Sequence, residues 1–182
     1  MKGIIAMALR NIYIDGDPIL RKKCRAVEKF DEKLHILLDD MHETLDKAEG
    51  VGLAGPQVGM CRRLFIMHLD DPETNQVRRI EAINPEIKEQ SGKQRVMEGC
   101  LSCPDKWGYV TRPKHVVLRA QDRNGEWFEE SFDDLGAQCV CHENAHLDGQ
   151  LFVDVVEEFV RPEDVQDNRR RKKIKVRVMG QK

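Results

Sequence analysis

His142, Glu143 and His146 are residues whose types and spacing could do hydrolytic chemistry. On a helix the two histidines stand close to one turn apart, so their rings project from one face with Cβ atoms roughly 5–6 Å apart. Two imidazole nitrogens at that separation reach a single metal ion. A metal lowers the pKa of a bound water toward neutrality, and a carboxylate beside it can take the proton. Glu143 lies too far around the helix to be a natural third ligand and is well placed for that proton. His-Glu-x-x-His is short enough to arise by chance on a solvated helix, so the reading needs support from the rest of the chain.

A catalytic tetrahedral site takes three protein ligands and keeps one position open. Cys100, Cys103, Cys139, Cys141 and the carboxylates are the candidates for the third. Cys100 and Cys103 could alternatively join Cys139 or Cys141 in a closed structural zinc site. Against that, the Cys139-x-Cys141 spacing is tighter than usual for zinc pairs, and Cys141 sits on a different helix face from its neighbour His142.

The elements that must position these residues follow from pattern. Asp133 or Asp134 caps the helix that carries the histidines, and Gly149 ends it. A second helix starts at Asp31, with Leu34, Leu37, Leu38, Met41 and Leu45 on one face and a stop at Gly50. Between the helices lie strands: Arg63 to Leu69, then Arg79 to Glu89 broken at Asn84-Pro85. His115 to Ala120 and Glu126 to Phe132 alternate around Asn124-Gly125, the signal of a two-residue hairpin. Helix, several strands, helix, without regular alternation, predicts an α+β fold rather than a wound parallel sheet. The segment Gly50 to Gly59 holds four glycines and a proline but lacks the Lys-Ser/Thr of a phosphate loop, so it predicts backbone brought close to another group.

The bulk properties agree. A chain of 182 residues, 40% hydrophobic and 34% charged, fits one globular domain with a single core. We expect that domain over 1–160. The apolar opening Ile4 to Leu9 is too short to span a membrane, so no membrane partner is expected and a cytoplasmic location is. In a reducing cytosol the six cysteines read as buried, reactive or metal-bound thiols. From Arg161 onward nine Lys/Arg stand against three Asp/Glu, a basic C-terminal tail over 161–182. Its Arg169-Arg170-Arg171-Lys172-Lys173 run suggests a solvated terminus or a contact with RNA, such as the ribosome's.

Three segments together resemble one family. Gly50-Val51-Gly52-Leu53-Ala54-Gly55-Pro56-Gln57 is similar to the first motif of peptide deformylases, Glu98-Gly99-Cys100-Leu101-Ser102 matches their second, and His142-Glu143-Asn144-Ala145-His146-Leu147 resembles their third. The arm Ile19 to Cys24 is also similar, and the resemblance covers roughly residues 9 to 155. It implies a deformylase-like α+β fold, with antiparallel or mixed sheets packed around a central metal-binding helix. It further implies removal of the formyl group from the initiator methionine of new polypeptides, with release of formate. Carried over by motif, the metal ligands become Cys100, His142 and His146, and Glu143 the general base and acid. The Gln57 amide and the Leu101 backbone N–H become the donors to the oxyanion. Val51, Gly52, Glu98, Leu135 and Cys139 become substrate contacts. The family implies one divalent ion, ferrous iron first, with zinc, nickel or cobalt as substitutes. A relative that keeps the metal but serves as a binding module on nascent chains is the alternative, and the intact Glu143 and Gln57 argue against it.

The chain departs from the family pattern at Gly55, Cys103, Cys141 and Ala145. Ala145 stands where the family carries Asp. That change is expected to alter the groups that orient the ligands and to leave Arg112 without a partner. Thiols so near the site are expected to make it prone to oxidation.

Overall fold

The computed structural model describes residues 8–71, 74, 76–161 and 163–165. The basic run Arg169 to Lys173 lies outside the described residues. Asp31 opens helix α1 (Glu32–Ala48) by accepting from the Leu34 N–H. The left-handed residue that ends this helix is Glu49 (φ 52°) rather than Gly50, one residue earlier than the glycine suggested. Helix α2 (Asp134–Leu147) follows Asp133 as expected. The Asp133 carboxylate, however, bonds His115 on a neighbouring strand and makes no cap contact.

Between the helices run β1 (Gly52–Ala54), β2 (Leu64–Asp70), β3 (Val77–Ser91), β4 (Gln94–Cys100), β5 (Cys103–Arg112), β6 (His115–Gln121) and β7 (Trp127–Asp133), and β8 (Glu158–Val160) comes after α2. They form an antiparallel five-stranded sheet in the order β1-β2-β3-β6-β7 and an antiparallel three-stranded sheet in the order β4-β5-β8. The α+β expectation holds.

Strand β2 explains how the site helix is held. Its apolar run is buried on both faces, as a strand covered on both sides must be. Phe65 and Met67 face the cluster built with Ala137, Val140 and Leu147 of α2, while Leu64 and Ile66 face Leu38, Met41 and Leu45 of α1. The sheet is thus clamped between the helices. Fully buried side chains of this kind contribute about 1.5–3 kcal/mol each. Small residues at Gly136 and Ala137 let α2 lie close: a Cβ at Gly136 would come within 3.1 Å of Phe132. A third cluster joins the three-stranded sheet to the chain after α2 through Cys103, Val110, Leu151 and Phe152.

Two local readings change. Strand β3 is not broken at Asn84-Pro85; it runs through with a register shift between Ile83 and Glu86, and Asn84 adopts a left-handed φ of 51°. The Asn84 side chain makes this possible by accepting from the Val27 N–H and donating to the Val27 carbonyl. The hairpin at Asn124-Gly125 turns over Arg123, Asn124 and Gly125, between the bonded pair Asp122 and Glu126. One carboxylate oxygen of Asp122 accepts from both the Asn124 and the Glu126 N–H, which favours the longer turn.

Candidate metal centre

Three elements converge on one point. Strand β4 ends at Cys100, the chain turns over Leu101-Ser102, and α2 presents His142 and His146 one turn apart with ring centroids 5.1 Å apart. Ligand atoms of Cys100, His142 and His146 all lie within 4.8 Å of one another, and no second such group occurs among the described residues. The Cys100 Sγ is 3.3 Å from Nε2 of His146. Cys139 and Cys141 stand outside the group, so the closed zinc arrangement with those residues does not form.

One of the two imidazoles is oriented from behind. Nδ1 of His142 lies 3.0 Å from a Glu98 carboxylate oxygen, which fixes the ring and turns Nε2 toward Cys100 and His146. Glu98 is in turn forked by Arg112 at 2.8 and 2.9 Å. The expectation that Ala145 would strand Arg112 therefore fails: Glu98 is its partner. Nδ1 of His146, by contrast, is buried with no hydrogen-bond partner among the described residues.

Gln57 sits in a short 3₁₀ turn, Gly55–Val58, after β1. Its amide oxygen accepts from the Ala54 N–H at 2.8 Å, so its NH₂ points the other way, 3.5 Å from Cys100 Sγ and 3.1 Å from Ser102 Oγ. Glu143 packs against the bare Cα of Gly52. A Cβ there would fall 2.4 Å from Glu143 Oε1 and 2.8 Å from Cys139 Sγ. The glycine-rich segment is thus used for close approach, as its composition suggested.

Burial and neighbouring charge set the protonation states. Burial lifts Glu143 to about 7, offset in part by His142 and reinforced by Glu98. Burial would also raise Glu98, but hydrogen bonds from Arg112 and His142 outweigh it and hold that carboxylate at about 2. For His142, burial works downward, yet the Glu98 hydrogen bond and the charges of Glu143 and Glu98 leave it above its usual value. Burial and the charge of His142 hold His146 well below its usual value. One carboxyl poised near neutrality thus stands beside one fixed as an anion, the separation that acid–base chemistry uses.

The group opens into a cavity of about 740 Å³ that Val51, Gly52, Glu98, Leu135 and Cys139 all line. Leu101 lines it too, and so does buried Val165 from the segment after residue 160. Every site residue expected from sequence reaches this cavity or the thiol–imidazole cluster. Arg112 and Ser102 were missed as orienting groups. Glu98 and Arg112 share a face of the β4–β5 hairpin only through the register shift between Gly99 and Cys100. Plain alternation counted from the turn at Leu101-Ser102 puts them on opposite faces, so the sequence carried no signal for Arg112.

Comparison with known proteins decides the family. The polypeptide deformylase family model matches residues 9–161. The chain belongs to the polypeptide deformylase family. A peptide deformylase of Caldicellulosiruptor bescii is 48% identical over 165 residues, 91% of this chain and 96% of that protein. The crystal structure of the Thermotoga maritima peptide deformylase superposes with a TM-score of 0.76 at 37% identity, covering 82% of this chain and 99% of that one. A Met-Ala-Ser-bound deformylase of Acinetobacter baumannii gives a TM-score of 0.76 at 32% identity, covering 83% and 100%. The deformylase reading of the sequence holds: the chain is a hydrolase of this type, and the deformylase family works with a divalent metal. The thiol and two imidazoles suit such an ion in number and kind. No helix among the described residues is long and apolar enough to cross a membrane.

Proposed function

We propose that Cys100, His142 and His146 hold the divalent metal and that Glu143 handles the protons as N-formylmethionyl peptides are hydrolysed to formate and free methionyl ends. The carrying observation is the mutual approach of one thiol and two imidazoles within 4.8 Å. Bound there, the ion supplies Lewis-acid polarisation and a nucleophile at neutral pH. Ferrous iron is our first choice, with zinc, nickel or cobalt as substitutes that the same ligands accept.

Glu143, held near neutrality by burial, takes a proton from the attacking water and gives it to the leaving amine. Its buried Oε2 has no protein partner among the described residues, which leaves it free for that exchange. The Gln57 NH₂ and the Leu101 N–H stabilise the oxyanion, about 2.7–4 kcal/mol for each donor in comparable sites. Strand β1 is an edge of its sheet, so the peptide can add alongside Val51 and Gly52 in extended form. The methionine side chain then lies among Val51, Leu135 and Cys139, with Glu98 at the wall where it also holds His142. We place the enzyme in the cytoplasm, with 1–160 as the catalytic domain and the basic segment 161–182 as a contact for ribosomal RNA.

The test is formate release from a formyl-Met peptide by protein prepared with ferrous iron without air. Wild type should release formate, and Glu143→Ala should lose release while retaining metal. Metal bound by wild type with no formate released, whichever ion is loaded, would overturn the catalytic reading.

A further inference from the structure

Cys103 has no part in the hydrolysis derived above, yet it sits against the proposed metal ligand Cys100. The β4–β5 hairpin closes over two residues, making Cys100 and Cys103 cross-strand partners. Directly opposed residues in an antiparallel ladder have Cα atoms about 4.5–5.5 Å apart, inside the roughly 4.4–6.8 Å that a disulfide spans. Both cysteines line the cavity. Their exposure differs: Cys100 is half-buried, whereas Cys103 is 1% exposed. A buried Cys103 could serve only as a small apolar filler beside Val110 and Phe152. A filler, however, does not need a sulfur placed across the turn from a ligand, and Cys103 lies outside the group of mutually close ligand atoms.

We propose that Cys103 is a resolving thiol for Cys100 under hydrogen peroxide. Peroxide enters by the cavity and meets the more accessible sulfur first. The Cys100 sulfur attacks one peroxide oxygen, the O–O bond breaks, and the departing hydroxide takes up a proton as water, leaving a sulfenic acid. The Cys103 sulfur then attacks the Cys100 sulfur; an S–S bond forms, the S–O bond breaks, and hydroxide leaves as water with the Cys103 proton. Two thiols lose two electrons and one peroxide becomes two waters. Sulfenic acid that is captured in this way stays reversible, whereas further oxidation to sulfinic or sulfonic acid does not. The disulfide also withdraws Cys100 from the metal; that consequence alone rests on the ligand assignment proposed above.

The test treats the full chain, loaded with redox-silent zinc, with hydrogen peroxide, then blocks remaining thiols and maps every cysteine by peptide mass spectrometry. Released zinc is read with a chelating dye before and after addition of dithiothreitol. Wild type should give a Cys100–Cys103 disulfide and lose its zinc, and reduction should restore zinc binding. Cys103→Val, with Cys103→Ser as a second variant should the first not fold, should instead accumulate sulfinic or sulfonic acid at Cys100 and fail to rebind zinc. Equal irreversible oxidation of Cys100 in wild type and variant overturns the proposal. So does a disulfide between Cys100 and Cys139, or one confined to Cys24 and Cys61, which pack in one cluster. A Cys100–Cys103 disulfide formed without zinc loss upholds the resolving thiol and overturns the ligand assignment.

Discussion

The Glu98 carboxylate bridges His142 and Arg112, 3.0 Å from the ring nitrogen and 2.8 Å from the guanidinium. All three side chains are nearly excluded from water, at 2% for Glu98, 10% for His142 and 12% for Arg112. Removing one partner of such a buried set strands the others, at about 3–5 kcal/mol. Glu98→Gln keeps the volume and deletes the charge, so the metal-free chain should unfold at lower temperature. Loss of a ring-orienting carboxylate lowers metal affinity about 10–100-fold in other sites. A zinc competition titration should find that drop; unchanged affinity would show that His142 is oriented without Glu98.

Gly52→Ala inserts a methyl where Glu143 Oε1 and Cys139 Sγ already lie within contact distance. The helix carrying Glu143 is packed between sheet and cavity and cannot retreat, so the carboxylate must rotate away. Overpacking of this kind costs about 1–3 kcal/mol of stability. The larger effect should be on kcat, because the displaced group is the proton carrier. Formate release should fall about tenfold or more while metal content stays at the wild-type level. A variant with unchanged kcat would mean that the position of Glu143 is not set by Gly52.

The chemistry of this chain was legible because it is local in sequence. His142, Glu143 and His146 share one helix, and Glu98 to Ser102 are contiguous, so spacing and motif reach them. The α+β class was legible from the order of the elements, a helix, several strands and a helix without regular alternation. The burial of β2 on both faces, by contrast, follows from packing between two helices that its sequence alone does not specify. What connects residues far apart in the chain was not legible. Arg112 finds Glu98 only because the hairpin register puts both on one face. Asn84 reads as a strand breaker until Val27, 57 residues away, takes its side chain. Asp133 reads as a helix cap until His115 competes for it. Each miss is a tertiary partner displacing a local rule.

Asn84 gives that statement a test. Its φ of 51° is left-handed, and its amide holds the backbone of Val27 at both N–H and carbonyl. Asn84→Ala loses the hydrogen bonds and keeps the unfavourable backbone, whereas Asn84→Gly loses the same bonds but occupies that backbone freely. Urea titration should find Ala less stable than wild type by about 2–3 kcal/mol, with Gly recovering about 1 kcal/mol of it. Equal stability of the two variants would mean that backbone conformation contributes nothing at this bulge.

Acid stability should depend on a second buried network, away from the metal cluster. Glu81 accepts from His42 Nε2 at 3.1 Å and from Arg123 Nε at 3.0 Å, and Nδ1 of His42 meets Nε2 of His68 at 2.8 Å. Burial pushes the Glu81 carboxyl upward, but hydrogen bonds from His42 and Arg123 prevail and hold it at about 2, below its usual 4.5. A folded-state value below the unfolded one means that the unfolded chain binds the proton more readily. The stabilisation is therefore complete above pH 4.5 and disappears as the pH falls toward 2. A displacement of that size corresponds to about 3 kcal/mol, and Glu81 is only 13% exposed, so screening removes little of it. Glu81→Gln should be less stable than wild type at neutral pH by about that amount, and the gap should close on acidification. Glu98, held equally low, keeps a residual acid dependence in the variant. Denaturant midpoints at several pH values read the gap directly, and a gap independent of pH would place the Glu81 contribution in packing rather than in charge.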